Sequence, residues 1–156
     1  MSVERVNLAI ELMQNSGENI ISTGSVSDEL ILNAEIRLGV KFPKDYIYFL
    51  KKYGSLFFAD EMFYGLTKLG FDSESVPCII FATESARKLG EISNKMIYIK
   101  ASGYGPLFCL DLENVSEGAP VKEVPNSNKE YKDTSVIANN FGEFFYNEIK
   151  LAVQEL

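Results

Sequence analysis

Three pairs of carboxylates stand close together along the chain: Asp60 with Glu61, Asp72 with Glu74, and Asp111 with Glu113. Two neighbouring acids can hold a divalent cation or divide general-acid and general-base work. The i, i+2 spacing of Asp111 and Glu113 would point both to one face of a strand. The competing reading is a solvated strand end or loop, where acids are common. No histidine is present. Its absence removes Ser-His-Asp and Cys-His arrangements, HExxH zinc sites and imidazole acid–base catalysis together. Cys78 and Cys109 lie in apolar surroundings, PCIIF and LFCLDL, and make no CxxC, so they read as reduced, buried thiols. The SGYGP turn at Ser102 to Pro106 brings two glycines together, as a phosphate cradle would. It lacks a third glycine and a GKS/T ending and precedes a strand, so it reads as a hairpin turn. No metal, cofactor or catalytic residue is expected.

Charge is the global property with functional direction. Fifteen Lys and Arg against 22 Asp and Glu give a formal net charge of −7. Such a surface repels nucleic acid, whose phosphates need basic side chains, and attracts basic proteins. Mild acidity also serves solubility alone. No apolar run approaches the roughly 20 residues of a membrane span, and the opening MSVERVNLAIELM mixes charge with apolar residues, unlike an export signal. These features lead to the expectation of a cytoplasmic protein that binds neither nucleic acid nor membrane. With 46% apolar residues, the 156-residue chain is long enough to bury one core and is expected to be one domain, 1–156.

Punctuation and period place the elements. Val3 to Gln14 has apolar residues three and four apart and closes at Gly17. Ser25 or Ser27 can cap a second helix with Asp28 and Glu29 in its first turn, ending at Gly39. Pro43 suits the first turn of a third helix and Gly54 its left-handed end; Tyr46, Phe49, Leu50 and Tyr53 share one face, leaving Lys44, Asp45, Lys51 and Lys52 to water. Leu56 to Phe58 and Met62 to Leu66 read as two strands joined at Asp60-Glu61. Pro77 to Leu89 fits either a buried strand or a helix start on its own residues, with Gly90 as a stop consistent with the helix. Lys95 to Lys100, Leu107 to Leu112 and Pro120 to Val124 read as strands, and the apolar MIYI as a central one. Pro125 to Thr134 is a polar contact loop. Asp133, Thr134 and Ser135 offer caps for a last helix whose inward stripe holds Ile137, Phe141, Phe144, Phe145, Ile149 and Ala152. The class is α+β: a central, mostly antiparallel sheet packed against N-terminal, middle and C-terminal helices.

The stretch from Leu38 to Leu66 carries a family resemblance. A helix ending in Leu38-Gly39 is followed by Phe42-Pro43, Tyr46, Phe49-Leu50, Tyr53-Gly54 and Tyr64-Gly65. This resembles the SUKH superfamily, which includes Smi/Knr-type regulators of yeast cell-wall synthesis and bacterial immunity proteins that neutralise polymorphic toxins. Weaker matches are Leu110-Asp111-Leu112, Pro120-Val121 and a closing helix opening with Ile137-Ala138 and continuing Phe141-Gly142-Glu143-Phe144. The resemblance also decides for a helix over Pro77 to Leu89. Many relatives carry tryptophan near these elements; this chain has none.

The resemblance implies a non-enzymatic immunity protein that neutralises one cognate toxin, a basic nuclease domain foremost. The alternative, which the yeast relatives suggest, is a regulatory scaffold with an endogenous partner. Exposed acids near the glycine- and aromatic-bearing strands are the expected contacts: Asp60, Glu61, Asp72, Glu74, Glu113 and Glu117, with Tyr64 and Tyr104 as aromatic anchors. Oligomeric state is left open, a homodimer included.

Overall fold

The computed structural model describes residues 2–68, 77–115, 118–125 and 134–156. Helix α1 (Ser2–Ser16) leads into strand β1 (Ile20–Ser22), then come α2 (Asp28–Leu38) and α3 (Lys44–Tyr53). Strands β2 (Leu56–Phe58) and β3 (Glu61–Phe63) precede α4 (Ile79–Lys88). Strands β4 (Met96–Ala101), β5 (Leu107–Asp111), β6 (Val121–Val124) and β7 (Ser135–Ala138) lead to α5 (Phe141–Gln154). The strands form two antiparallel sheets, β1-β2-β3 and β4-β5-β6-β7. Helices α1, α3 and α5 pack together on one side, and α4 packs on β4. The fold is therefore α+β, with its sheet in two parts.

A β-bulge joins those parts. Tyr98 pairs with Cys109 and Lys100 with Phe108, so Ile99 is the extra residue in β4. Its carbonyl instead accepts the Tyr64 N–H at 2.8 Å, linking the end of β3 to β4. The bulge also reverses the alternation of side chains. Met96 and Tyr98 face the small cluster under α4 with Leu107, Cys109 and Val124, whereas Lys100 lies opposite Phe108 on the face of the main core.

The family-like signature turns out to be a packing device. Phe42, Tyr46, Phe49, Leu50 and Tyr53 are all buried. Phe49 lies 5.2 Å from Phe141 and 5.4 Å from Phe145, ring centre to ring centre. The Tyr46 hydroxyl donates to the Tyr64 carbonyl at 2.8 Å. Gly39 ends α2 with φ +71°, and its N–H bonds back to Glu35 and Ile36. Gly54 has φ 73° and ψ −76°, and Ser55 N–H reaches the Tyr53 carbonyl across it at 2.9 Å, a γ-turn instead of the expected left-handed helical cap. A Cβ on Gly65 would stand 1.7 Å from the Gly54 carbonyl oxygen. The two signature glycines are what let the end of α3 and the end of β3 meet backbone to backbone.

Several expectations are corrected. Pro43 sits at the cap of α3 (ψ 159°), one position before its first turn. Asp45 is 2% exposed, not solvated. Its Oδ2 accepts the Gly142 N–H at 3.0 Å and its Oδ1 the Tyr46 N–H at 2.8 Å, so one carboxylate satisfies the first turns of α3 and α5 together. The β2–β3 turn is Ala59-Asp60, with φ 47° and 67°, a two-residue hairpin of the I′ kind; Glu61 belongs to β3, which ends at Phe63. Ser135 to Ala138 is a strand pairing with β6, leaving Ile137 40% exposed, and α5 opens at Phe141 under Asn140, whose side chain accepts the Glu143 N–H at 2.8 Å. Strand β1 went unread. Cys78 and Cys109 are both buried and form no disulfide. Asp133 and most of the Pro125 to Thr134 loop lie outside the described residues.

Candidate functional site

The two-residue turn, the loop after the bulged strand and α5 converge on one cleft of about 570 Å³. The Ala59-Asp60 turn brings Asp60 and Glu61, the β4–β5 loop brings Ser102 and Tyr104, the link after α1 brings Glu18, and α5 brings Glu148, Leu151 and Glu155. Five carboxylates therefore line one concavity. A second depression of about 340 Å³ shares Glu18, Asp60 and Glu61 and extends past Ile21 and Met62.

One cation lies inside this acidic rim. The Lys100 side chain is 4% exposed, yet its Nζ is 3.2 Å from Glu61 Oε1 and 3.3 Å from Glu148 Oε1. Its third donor direction is taken by the Ala101 carbonyl at 3.3 Å. The rings of Phe63 and Phe108 flank the ammonium at 5.5 and 5.7 Å. Burial pushes the Glu148 carboxyl above its ordinary range, and the attraction of Lys100 pulls it partly back. The lysine compensates two carboxylates on the cleft wall. Asp60, Glu18 and Glu155 remain exposed, and no ion pair forms on them among the described residues. The cleft thus presents net negative charge to solvent.

The sequence-derived candidates are only partly gathered here. Asp60, Glu61 and Tyr104 meet at the cleft. Tyr104 is 69% exposed, and its hydroxyl donates to Glu123, which raises its pKa chiefly by stabilising the protonated phenol. Glu113 lies elsewhere, on a groove beside α2. Tyr64 is 6% exposed and packs edge-on against Tyr98 with ring centres 5.1 Å apart, so it is a core residue and not a surface anchor. Asp72, Glu74 and Glu117 lie outside the described residues. The Asp111–Glu113 pair does not form a two-carboxylate site, because Asp111 Oδ2 pairs with Lys122 at 2.6 Å and Oδ1 accepts the Glu113 N–H at 3.1 Å. Among the described residues no group of three or more acids or cysteines is arranged to hold a metal ion.

Sequence reasoning missed Glu18, Lys100, Glu148 and Glu155. A usable signal existed for Glu148, which falls four and three residues after the inward Phe144 and Phe145 and so borders the buried stripe. For Lys100 strict alternation points to the wrong face, since only the bulge turns it inward. No described helix is long and apolar enough to cross a membrane.

A family model described as SUKH_6, SMI1-KNR4 cell-wall, matches residues 28–145. The matched span holds Asp60, Glu61, Lys100 and Tyr104, while Glu18, Glu148 and Glu155 lie beyond it. No curated protein matches the chain.

Proposed function

Because the chain belongs to the SUKH_6, SMI1-KNR4 family, as the match over residues 28–145 establishes, we propose that it is an immunity protein that binds and neutralises one cognate protein toxin in the cytoplasm. The acidic cleft is the observation that supports this reading most. A nuclease toxin must carry basic surface to hold a polyanion, and a concave wall of carboxylates complements it. Binding is non-enzymatic: Asp60, Glu18 and Glu155 attract the partner, Tyr104 offers an exposed aromatic, and Leu151 supplies apolar area in the same cleft. The contact set proposed from sequence is narrowed accordingly, with Tyr64 removed because it is buried.

The test is inhibition of the purified toxin domain encoded beside this chain's gene. Addition of one equivalent should abolish cleavage of its substrate, with an association rate that falls steeply as salt rises. Full toxin activity in the presence of excess protein would reject the reading. A second reading, a regulatory scaffold with an endogenous partner, is favoured by the cell-wall wording of the family description. The two differ in need: an antidote becomes dispensable once its toxin gene is deleted, whereas loss of a regulator still gives a phenotype in that background.

A further inference from the structure

The three-stranded sheet carries an apolar row on the face turned away from the core. Leu56, Phe58 and Phe63 are buried, and strand alternation sends their neighbours Phe57 and Met62 to the opposite face. The antiparallel register sets Ile21 opposite Phe57 and Phe57 opposite Met62. One side chain from each strand thus forms a continuous row, roughly 10 Å across at the ordinary strand spacing. Ile21 is 58% exposed, and Phe57 and Met62 are half-buried. The row runs along the depression of about 340 Å³ beside the acidic cleft. The charge around it has one sign: Glu18, Asp60 and Glu61 line the depression, and no lysine or arginine does. Lys100 answers Glu61 at 3.2 Å. Glu18 and Asp60 are exposed and form no ion pair among the described residues. The same three acids line the cleft, so cleft and depression share an edge and make one surface. An apolar centre inside a polar rim is the ordinary anatomy of a protein interface, and this rim calls for cations.

We infer that the basic protein received by the acidic cleft extends over this face, setting an aliphatic or aromatic side chain against Ile21, Phe57 and Met62 while flanking Lys or Arg residues reach Glu18 and Asp60. The inference rests on the reading of the cleft as the surface that captures a basic toxin domain, and it adds where the apolar anchor of that partner lands. A second copy of the chain fits worse, because an isologous contact brings the same acidic rim to both sides of the interface in a chain of net charge −7. The two parts of the surface then have different kinetic work. Unpaired acids govern how fast the partner arrives, and the apolar row governs how long it stays.

The test is binding kinetics with the purified toxin domain encoded beside this chain's gene, using the wild-type chain, Ile21→Ser, Met62→Gln, and Glu18→Gln combined with Asp60→Asn. Circular dichroism verifies that each variant folds. Ile21→Ser and Met62→Gln should each dissociate about tenfold faster, the loss of one apolar anchor, with association at low salt within about twofold of wild type. The acid pair should do the reverse, slowing association and leaving dissociation nearly unchanged. Hydroxyl-radical footprinting of the wild-type complex gives a readout free of substitution: oxidation of Phe57 and Met62 should fall severalfold on binding. Unchanged dissociation in both folded variants, or Met62 oxidised as fast in the complex as alone, overturns this inference and leaves the cleft reading standing on the result for the acid pair. Concentration-dependent dimerisation that Ile21→Ser abolishes also overturns it, giving the face to a second copy. Absence of any complex with the wild-type chain removes the cleft reading and this inference together.

Discussion

Replacing Lys100 by methionine keeps an unbranched apolar stem between Phe63 and Phe108 and removes only the ammonium that holds Glu61 and Glu148. Breaking a buried ion pair from one side costs about 3–5 kcal/mol when burial is complete. Here the Glu61 and Glu148 side chains keep 33% and 19% of their surface in water, so a cost of about 2–3 kcal/mol is expected after allowing for screening. For a chain of this size that lowers the unfolding midpoint by about 4–12 °C. The loss should depend on pH. Burial already holds the Glu148 carboxyl above its ordinary value, and Lys100 opposes that rise; without the lysine it moves further up. A carboxyl with a raised folded pKa stabilises the fold only while protonated: its contribution is complete below the unfolded value and is lost as pH climbs through the folded one. The deficit of Lys100→Met should therefore be largest near neutrality and shrink as pH approaches the ordinary carboxylate value of 4.5. Denaturant melts of wild type, Lys100→Met, Glu148→Gln and the double variant, each at neutral and mildly acidic pH, measure this. The double variant should recover about 1–2 kcal/mol relative to the sum of the singles. Additive single effects, or a deficit equal at both pH values, would refute the buried-clamp reasoning.

Asp45→Ala strands the Gly142 and Tyr46 N–H groups and should cost about 2–4 kcal/mol in chemical denaturation, with Asp45→Asn losing less because one acceptor oxygen survives. Gly65→Ala should prevent accumulation of folded protein, since its Cβ would collide with the Gly54 carbonyl. Gly103→Ala, at φ +86° but with open space around it, should cost only about 1–2 kcal/mol of backbone strain. Tyr46→Phe leaves the Tyr64 carbonyl unpaired in the core and should lower stability by about 1 kcal/mol with little change in far-ultraviolet dichroism.

Helices were legible wherever caps and glycine stops agreed with apolar period, as at Ser27 and Gly39 of α2. What period could not convey was any feature decided by distant backbone. Ser135 to Ala138 carries capping residue types, yet pairing with β6 makes it a strand. Ala59-Asp60 lacks the Asn-Gly or Asp-Gly signature of an I′ turn, so the hairpin register shifted by one residue in the sequence reading. Asp45 looks solvated on its own helix, and only the arrival of α5, 97 residues later, gives its carboxylate a partner. The site followed the same division. Asp60, Glu61 and Tyr104 were visible as exposed residue types near turns. Lys100 and Glu148 were not, because the bulge at Ile99 and the packing of α5 bring them together.

Growth rescue tests the central claim most directly: the neighbouring toxin domain is co-expressed with the wild-type chain or with Glu18→Gln, Asp60→Asn and Glu155→Gln combined. These three changes remove unpaired cleft charges, and asparagine tolerates the positive φ of position 60. The expected result is rescue and a stable complex with the wild-type chain, and an association rate about tenfold or more slower at low salt for the folded triple variant. Arrested growth and no complex with the wild-type chain would contradict immunity, and undiminished association by the triple variant would contradict the cleft as the binding surface.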